Sequence, residues 1–159
     1  MDHPLFWSLL AGVALLVMVT RLVVGRPLLP RRAVILTRAD LALAAVCVLA
    51  LGFHCGAMFF APWTDALPGG RNLGGSVRAM GSASEWAYWV PAAGLMLALS
   101  RITWPALVLL GATLFGVGMT MFRPSPLDVH LAWIATAVLV LTLISSSLIG
   151  RPASSASTT

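Results

Sequence analysis

Long stretches of uncharged residues, separated by short arginine-containing segments, constrain this chain more than any other feature. Each stretch is close to the roughly 20 residues that an α-helix needs to cross the hydrocarbon core of a bilayer. Hydrophobic residues make up 59% of the 159 residues and charged residues only 9%, whereas a soluble domain carries roughly 25% charged residues. So few charges cannot cover a water-facing surface. We therefore predict an all-α, polytopic integral membrane helix bundle.

Five transmembrane helices account best for the pattern of apolar stretches. The predicted spans cover approximately residues 5–24, 39–61, 83–100, 104–122 and 126–149. They would form one helix-bundle domain over residues 1–150, which leaves no length for a separate catalytic domain. The small, polar residues 151–159 are expected to be a disordered cytoplasmic tail.

Two helix starts carry the spacing of a capping box, in which a hydroxyl and a carboxylate three residues apart exchange hydrogen bonds with the backbone. Thr37 and Asp40 have this spacing at the start of the second span. Ser82 and Glu85 repeat it before the third. The sequence therefore predicts a capping box at both positions.

Arg101 decides between five spans and four. It interrupts an apolar run over residues 86–122, which is too long for one crossing at 1.5 Å per residue. Burying an arginine at the bilayer centre costs about 3 kcal/mol on insertion scales, so we predict a tight hairpin at Arg101–Thr103 with Pro105 in the next helix. The four-span alternative would place Arg101 inside the membrane.

The distribution of arginines predicts the orientation. One side of the bundle would carry seven arginines, and the opposite side three. The seven are Arg21, Arg26, Arg31, Arg32, Arg38, Arg101 and Arg151, and the three are Arg71, Arg78 and Arg123. The positive-inside rule then places the N-terminus outside and the C-terminus in the cytoplasm. We expect a multi-pass protein of a bacterial cytoplasmic membrane whose partner is the lipid bilayer, not nucleic acid, since the arginines flank spans and form no patch.

Aromatic residues and glycines characterise the predicted outer side. Five aromatic residues would anchor the outer interface and Trp104 the inner one. The five are Trp7, Trp63, Trp86, Tyr88 and Trp89. Between the second and third spans, a segment of about twenty residues contains Gly69, Gly70, Gly74 and Gly75 and is long enough to be mobile or to cover the outer mouth of the bundle.

Two histidines and several methionines fall in the outer halves of the predicted spans. His54 and Met58 are four residues apart and so share a helix face. His130 in the fifth span and Met119 in the fourth are predicted at the same level. Imidazole and thioether together suit a soft metal ion, copper(I) above all, and ionisable groups inside a bilayer are functional candidates. We therefore predict a metal site formed by His54, His130, Met58 and Met119.

The chain contains no catalytic motif, so we predict that it is not an enzyme. Two other non-enzymatic functions remain open. His54 and His130 could instead be the axial ligands of one b-type haem, as two histidines on different helices are in membrane anchors of respiratory enzymes. The small-residue pattern Gly52-x-x-x-Gly56 permits close helix approach. It is compatible with packing inside the bundle or with an accessory subunit that contacts other membrane subunits and has no site of its own.

Overall fold

The structure, a computed structural model, describes residues 10–12, 14–19 and 36–148. Residues 10–12 and 14–19 are helical. From residue 36 onward, six α-helices follow one another. They are α1 (Arg38–Phe59), α2 (Ala61–Asp65), α3 (Gly70–Ala79), α4 (Ser84–Ala98), α5 (Trp104–Phe122) and α6 (Leu127–Leu148). The described ranges contain no β-strand, so the predicted all-α class is confirmed.

Three of these helices, α1, α5 and α6, are long and apolar enough to cross a membrane. Their bounds lie within two residues of the predicted spans 39–61, 104–122 and 126–149. Helix α4 corresponds to the predicted third span but has only 15 residues. The predicted first span, 5–24, is described only in part, and the predicted tail at 151–159 lies outside the described residues. The protein is therefore a multi-pass helical membrane protein.

Both predictions at one end of the bundle are confirmed. The Thr37 hydroxyl accepts from the Asp40 amide at 3.1 Å, and the Asp40 carboxylate accepts from the Thr37 amide at 2.9 Å. Residues 99–103 turn between α4 and α5, with Arg101 exposed. Its guanidinium lies 3.8 Å from the Asp40 carboxylate. This ion pair places the hairpin at the same end as the start of α1.

The predicted capping box of Ser82 and Glu85 is wrong. A 3₁₀ turn over Gly81–Ala83 runs directly into α4, and Gly81 adopts φ of +55° to start it. The Ser84 hydroxyl donates to the Gly81 carbonyl at 2.7 Å, and no side chain caps the helix. The chain is already helical at Ser82, so the exposed amides that a capping residue satisfies lie further upstream.

The glycine-rich segment between α1 and α4 is folded into two short helices, which favours a cover over a mobile loop. Gly70 packs against Thr64, and Gly74 approaches Asp65. Arg78 donates to the Ala57 carbonyl at 3.2 Å and to both Asp65 carboxylate oxygens at 3.2 and 3.3 Å. These contacts tie α2 and α3 to the end of α1. We call this the capped end: α1 and α5 end there, and α4 and α6 begin.

The bundle core lies where α4 packs on α1 and on α5, and α5 packs on α6. Glycines permit the closest approaches. The Gly116 backbone lies against the indole of Trp133 on α6, and Gly118 lies against Tyr88 and Trp89 on α4. A side chain at either position would overlap these rings, so α5 can approach both neighbours only because its surface is flat there.

The predicted interfacial anchors differ in exposure, and Trp89 is half-buried, packed edge-on against Tyr88. Trp63, Trp86 and Trp104 are 55%, 73% and 73% exposed, as anchors should be. Tyr88 is not an anchor: it is 1% exposed, and its hydroxyl donates to the Leu114 carbonyl at 2.6 Å. Its ring occupies the space above Gly118, where that bond satisfies the hydroxyl without water. Trp7 lies outside the described residues.

Candidate functional site

His54 lies in the last third of α1 and points into the bundle. The residue is 3% exposed. Its ring is surrounded by aromatic side chains, with centroids at 6.2 Å from Tyr88 and 6.3 Å from Phe122. Neither ring nitrogen has a hydrogen-bond partner among the described residues. A neutral imidazole offers one donor and one acceptor, and both are buried here without a partner.

His130 lies in the first turn of α6 and is 1% exposed. Its ring stacks on Phe59, with centroids 4.1 Å apart and planes inclined by 31°. Its Nδ1 lies 2.8 Å from the hydroxyl of Thr120 on α5. Its Nε2 is buried and has no hydrogen-bond partner in the described part of the chain. The ring is therefore held on one edge and unpaired on the other.

The two histidines share the capped end. His54 reaches Phe122, the last residue of α5, and His130 reaches Thr120 two residues earlier. His130 also stacks on Phe59, the last residue of α1, which is the helix that carries His54. The ends of α1 and α5 and the start of α6 thus surround three buried imidazole nitrogens, two on His54 and one on His130, that have no partner in residues 36–148 or in the described part of 10–19.

The predicted thioether partners lie at the same helix ends. Met58 and Met119 are half-buried. No group of three His, Cys, Asp or Glu side chains that could hold a metal is found among the described residues. A metal site at the capped end would therefore depend on the two imidazoles together with thioether sulfur, a ligand set for soft ions and not for magnesium, calcium or structural zinc.

Sequence reasoning missed the residues that position the histidines. Thr120 and Phe59 are the direct neighbours of His130, and Tyr88 is a neighbour of His54. Thr120 is an ordinary threonine at the end of an apolar helix, and no motif distinguishes it. Its nearness to His130 depends on how the α5–α6 hairpin turns at residues 123–126, which hydropathy does not report.

A second feature is an apolar groove of about 770 Å³ between α1 and α6. Gly52 and Phe53 line it on one side, Ile134 and Val138 on the other, and neither histidine lines it. A Cβ built on Gly52 meets no atom within 4 Å, whereas one built on Gly56 comes within 2.9 Å of the Thr64 methyl. The Gly52-x-x-x-Gly56 pattern thus has one open glycine and one packed inside the chain.

Helix α1 is the least covered of the three long helices. In its most apolar 18-residue window, 22% of the residues are buried, compared with 39% in α5 and 33% in α6. The groove is lined in part by exposed residues of this helix, Val48 and Leu49 among them. Comparison of the chain with protein-family models, curated proteins and solved structures found no match.

Proposed function

We propose that this protein binds one soft metal ion, copper(I), at the capped end through His54 and His130, with Met58 and Met119 as thioether partners. The observation that supports the proposal is the set of buried imidazole nitrogens, two on His54 and one on His130, for which the described part of the chain supplies no hydrogen-bond partner. The protein would hold or pass on the ion and would catalyse no reaction.

These nitrogens lack a hydrogen-bond partner among the described residues, and that lack has an energetic cost. A buried polar group left without a partner costs about 1–3 kcal/mol, and neighbouring helices usually supply the partner in a membrane protein. Here the surrounding groups are the rings of Phe59, Tyr88 and Phe122, which accept no strong hydrogen bond. A metal ion bound to an imidazole lone pair would remove that penalty at the bound nitrogen of each histidine, and copper(I) prefers nitrogen with soft sulfur.

The predicted topology gives the direction from which the ion would come. If the N-terminus is outside, the capped end faces outward. The ion would then enter beside α3, where Met80 is 43% exposed. Helices α2 and α3 would limit its access to the site.

Copper(I) titration of the purified, detergent-solubilised chain under reducing, anaerobic conditions tests the proposal. We expect about one ion per chain to be retained against a chromophoric competitor. His54→Phe and His130→Phe should each abolish this retention, since each removes a principal ligand while keeping an aromatic ring. Met58→Leu and Met119→Leu should weaken it less.

Matched controls exist within the chain. Met96 lies at the other end of α4, against Gly111, so Met96→Leu should leave copper retention unchanged. His3→Ala removes the one histidine that is not part of the proposed site. Retention that survives both His54→Phe and His130→Phe, or that is lost in Met96→Leu to the same extent, would contradict the proposal.

The haem alternative has less geometric support. Each imidazole is already in contact with aromatic rings, and the groove is not lined by either histidine. A porphyrin between His54 and His130 would have to displace Phe59 and Phe122. A Soret band in the purified protein would favour haem over copper.

A second candidate function is that of an accessory subunit, and the groove is the observation that favours it. The groove is apolar, it is lined in part by exposed residues of α1, and Gly52 leaves space for the backbone of another helix. The partner would be a transmembrane helix of another membrane subunit, since small residues allow close helix contacts in lipid.

Substitution of Gly52 by leucine tests this candidate, because a Cβ at this position meets no atom within 4 Å and the larger side chain would occupy the groove that Gly52 lines. We expect association with a membrane partner, measured by crosslinking from Val48 in intact membranes, to weaken at least about tenfold, the equivalent of about 1.4 kcal/mol. Ala50→Leu, exposed on the same helix and outside the groove, is the control. Equal crosslinking in both variants would exclude the groove as the contact.

A further inference from the structure

We infer that Thr120 fixes the tautomer of His130, with the ring proton on Nδ1, and so presents the bare Nε2 lone pair as the metal-binding atom. The inference adds the ligand atom and a positioning residue to the proposed copper site, and for that role it rests on the proposed function. The tautomer itself depends only on contacts within the chain and can be measured without metal.

The Thr120 hydroxyl has a single proton and three close contacts. Its Oγ1 lies 2.9 Å from the Gly116 carbonyl oxygen, 3.0 Å from the Val117 carbonyl oxygen and 2.8 Å from His130 Nδ1. A threonine hydroxyl has one proton to donate and lone pairs to accept. In at least one of the three contacts the hydrogen-bonding proton must therefore come from a group other than Thr120. The carbonyl oxygens carry no proton.

The Thr120 hydroxyl proton can be assigned in two ways, and the two assignments differ in energy. If the hydroxyl donated to Nδ1, its oxygen would face two carbonyl oxygens at 2.9 and 3.0 Å with no proton between them. If it donates to the helix carbonyls, as threonines in helices do, the Oγ1 lone pair remains to accept from Nδ1–H. Every contact is then a hydrogen bond, so the second assignment is favoured.

A proton on Nδ1 determines the state of the other nitrogen. In a neutral imidazole one nitrogen is protonated and the other is an acceptor, so Nε2 carries a lone pair. A second proton there would create a buried cation with an unpaired donor, which is costly in an apolar environment. Nε2 is buried with no described partner. This is the form in which a histidine binds a metal, with its second nitrogen held by a hydrogen bond.

His54 has no counterpart to Thr120. Both of its ring nitrogens lack a partner in the described residues, so no described group selects its tautomer. The two ligands of the proposed site therefore differ: His130 is oriented in advance by α5, whereas His54 is oriented only by the rings around it. Loss of the Thr120 hydroxyl should affect His130 alone.

Nitrogen-15 NMR of histidine-labelled protein without metal tests the tautomer. We expect a one-bond N–H coupling at Nδ1 of His130 and none at Nε2, with His130→Phe identifying the signals. In Thr120→Val, which removes the hydroxyl and keeps the shape, the Nδ1–H preference should be lost. Thr120→Ser should restore it. Thr136→Val is the matched control, because Thr136 donates to the Ala132 carbonyl at 2.8 Å in the same way and makes no hydrogen bond to His54 or His130.

Copper(I) affinity separates this inference from the proposed function. Where the site binds copper, Thr120→Val should weaken binding about 10–100-fold, and Thr120→Ser and Thr136→Val should not. An Nδ1–H tautomer in a protein that binds no copper would contradict the proposed function and leave the tautomer assignment in place. A proton on Nε2 of His130 in the metal-free wild type, or an unchanged tautomer in Thr120→Val, would overturn the inference.

Discussion

Replacement of Gly116 by alanine is expected to lower the free energy of unfolding by about 2–3 kcal/mol, the upper range for overpacking of a well-packed interior. The new Cβ would overlap three atoms of the Trp133 indole, which stands between α5 and α6. An indole is rigid, so it can yield only by moving as a whole. The two helices would then separate, and each would lose part of its contact with the other.

Gly111→Ala provides the control on the same helix. There the nearest atom to the added Cβ is the terminal methyl carbon of Met96, at 3.0 Å. Methionine is flexible and can rotate its end group away, so we expect a change below about 1 kcal/mol. Denaturant titration in detergent micelles, followed by circular dichroism, measures both variants. Equal destabilisation would mean that α5 does not approach Trp133 as closely as the structure has it.

Replacement of Gly70 by alanine is the second large effect that we expect, and it concerns the capped end. A Cβ on Gly70 would overlap the backbone carbonyl oxygen of Thr64. A carbonyl oxygen cannot rotate aside as a side chain can, so α3 must move off α2. We expect a loss of about 3 kcal/mol, seen as faster amide hydrogen exchange across α3.

Gly75→Ala in the same helix should have the opposite effect and raise the free energy of unfolding. Its Cβ would meet nothing within 4 Å, and alanine is up to about 1 kcal/mol better than glycine in a helix interior. Amide exchange across α3 should therefore slow slightly in this variant. If Gly70→Ala and Gly75→Ala changed exchange in the same direction, the packing of α3 on Thr64 would be wrong.

Hydropathy and local signals were enough to predict the long helices. The bounds of α1, α5 and α6 follow from the length of each apolar stretch, because only a helix satisfies its own backbone in lipid. The hairpin at Arg101 followed from the cost of burying a guanidinium. The Thr37–Asp40 capping box followed from spacing alone, and these are all properties of neighbouring residues.

The capped end was not predictable in the same way. Four glycines between Gly69 and Gly75 argue against helix, yet α3 forms there because Gly70 and Gly74 fit against α2 and because Arg78 bridges Asp65 and Ala57. These contacts join segments that are distant in sequence, and local propensity contains no information about them.

The candidate site was likewise predictable only in outline. The sequence predicted His54 and His130 at one level of the bundle. His54 lies near the end of one predicted span and His130 near the start of another that runs in the opposite direction. Tyr88 was mistaken for an interfacial anchor, since its burial depends on the bare surface of Gly118 across the helix interface. The hydroxyl of Thr120 and the stacking on Phe59 depend on rotations of α5 and α6 that periodicity does not determine.

The unequal lengths of the helices have a consequence for the surrounding lipid. Helix α4 has 15 residues, about 22 Å at 1.5 Å per residue, whereas α1 and α6 have 22 residues each, about 33 Å. Trp86, Val90 and Leu97 are 73%, 62% and 68% exposed along α4. If α4 crosses the membrane beside the longer helices, as the five-span prediction has it, acyl chains there must shorten or splay to meet a hydrophobic belt thinner than the usual hydrocarbon layer of about 30 Å. Such mismatch on one flank would give the protein a preference for short-chain lipids there and for thin regions of a membrane.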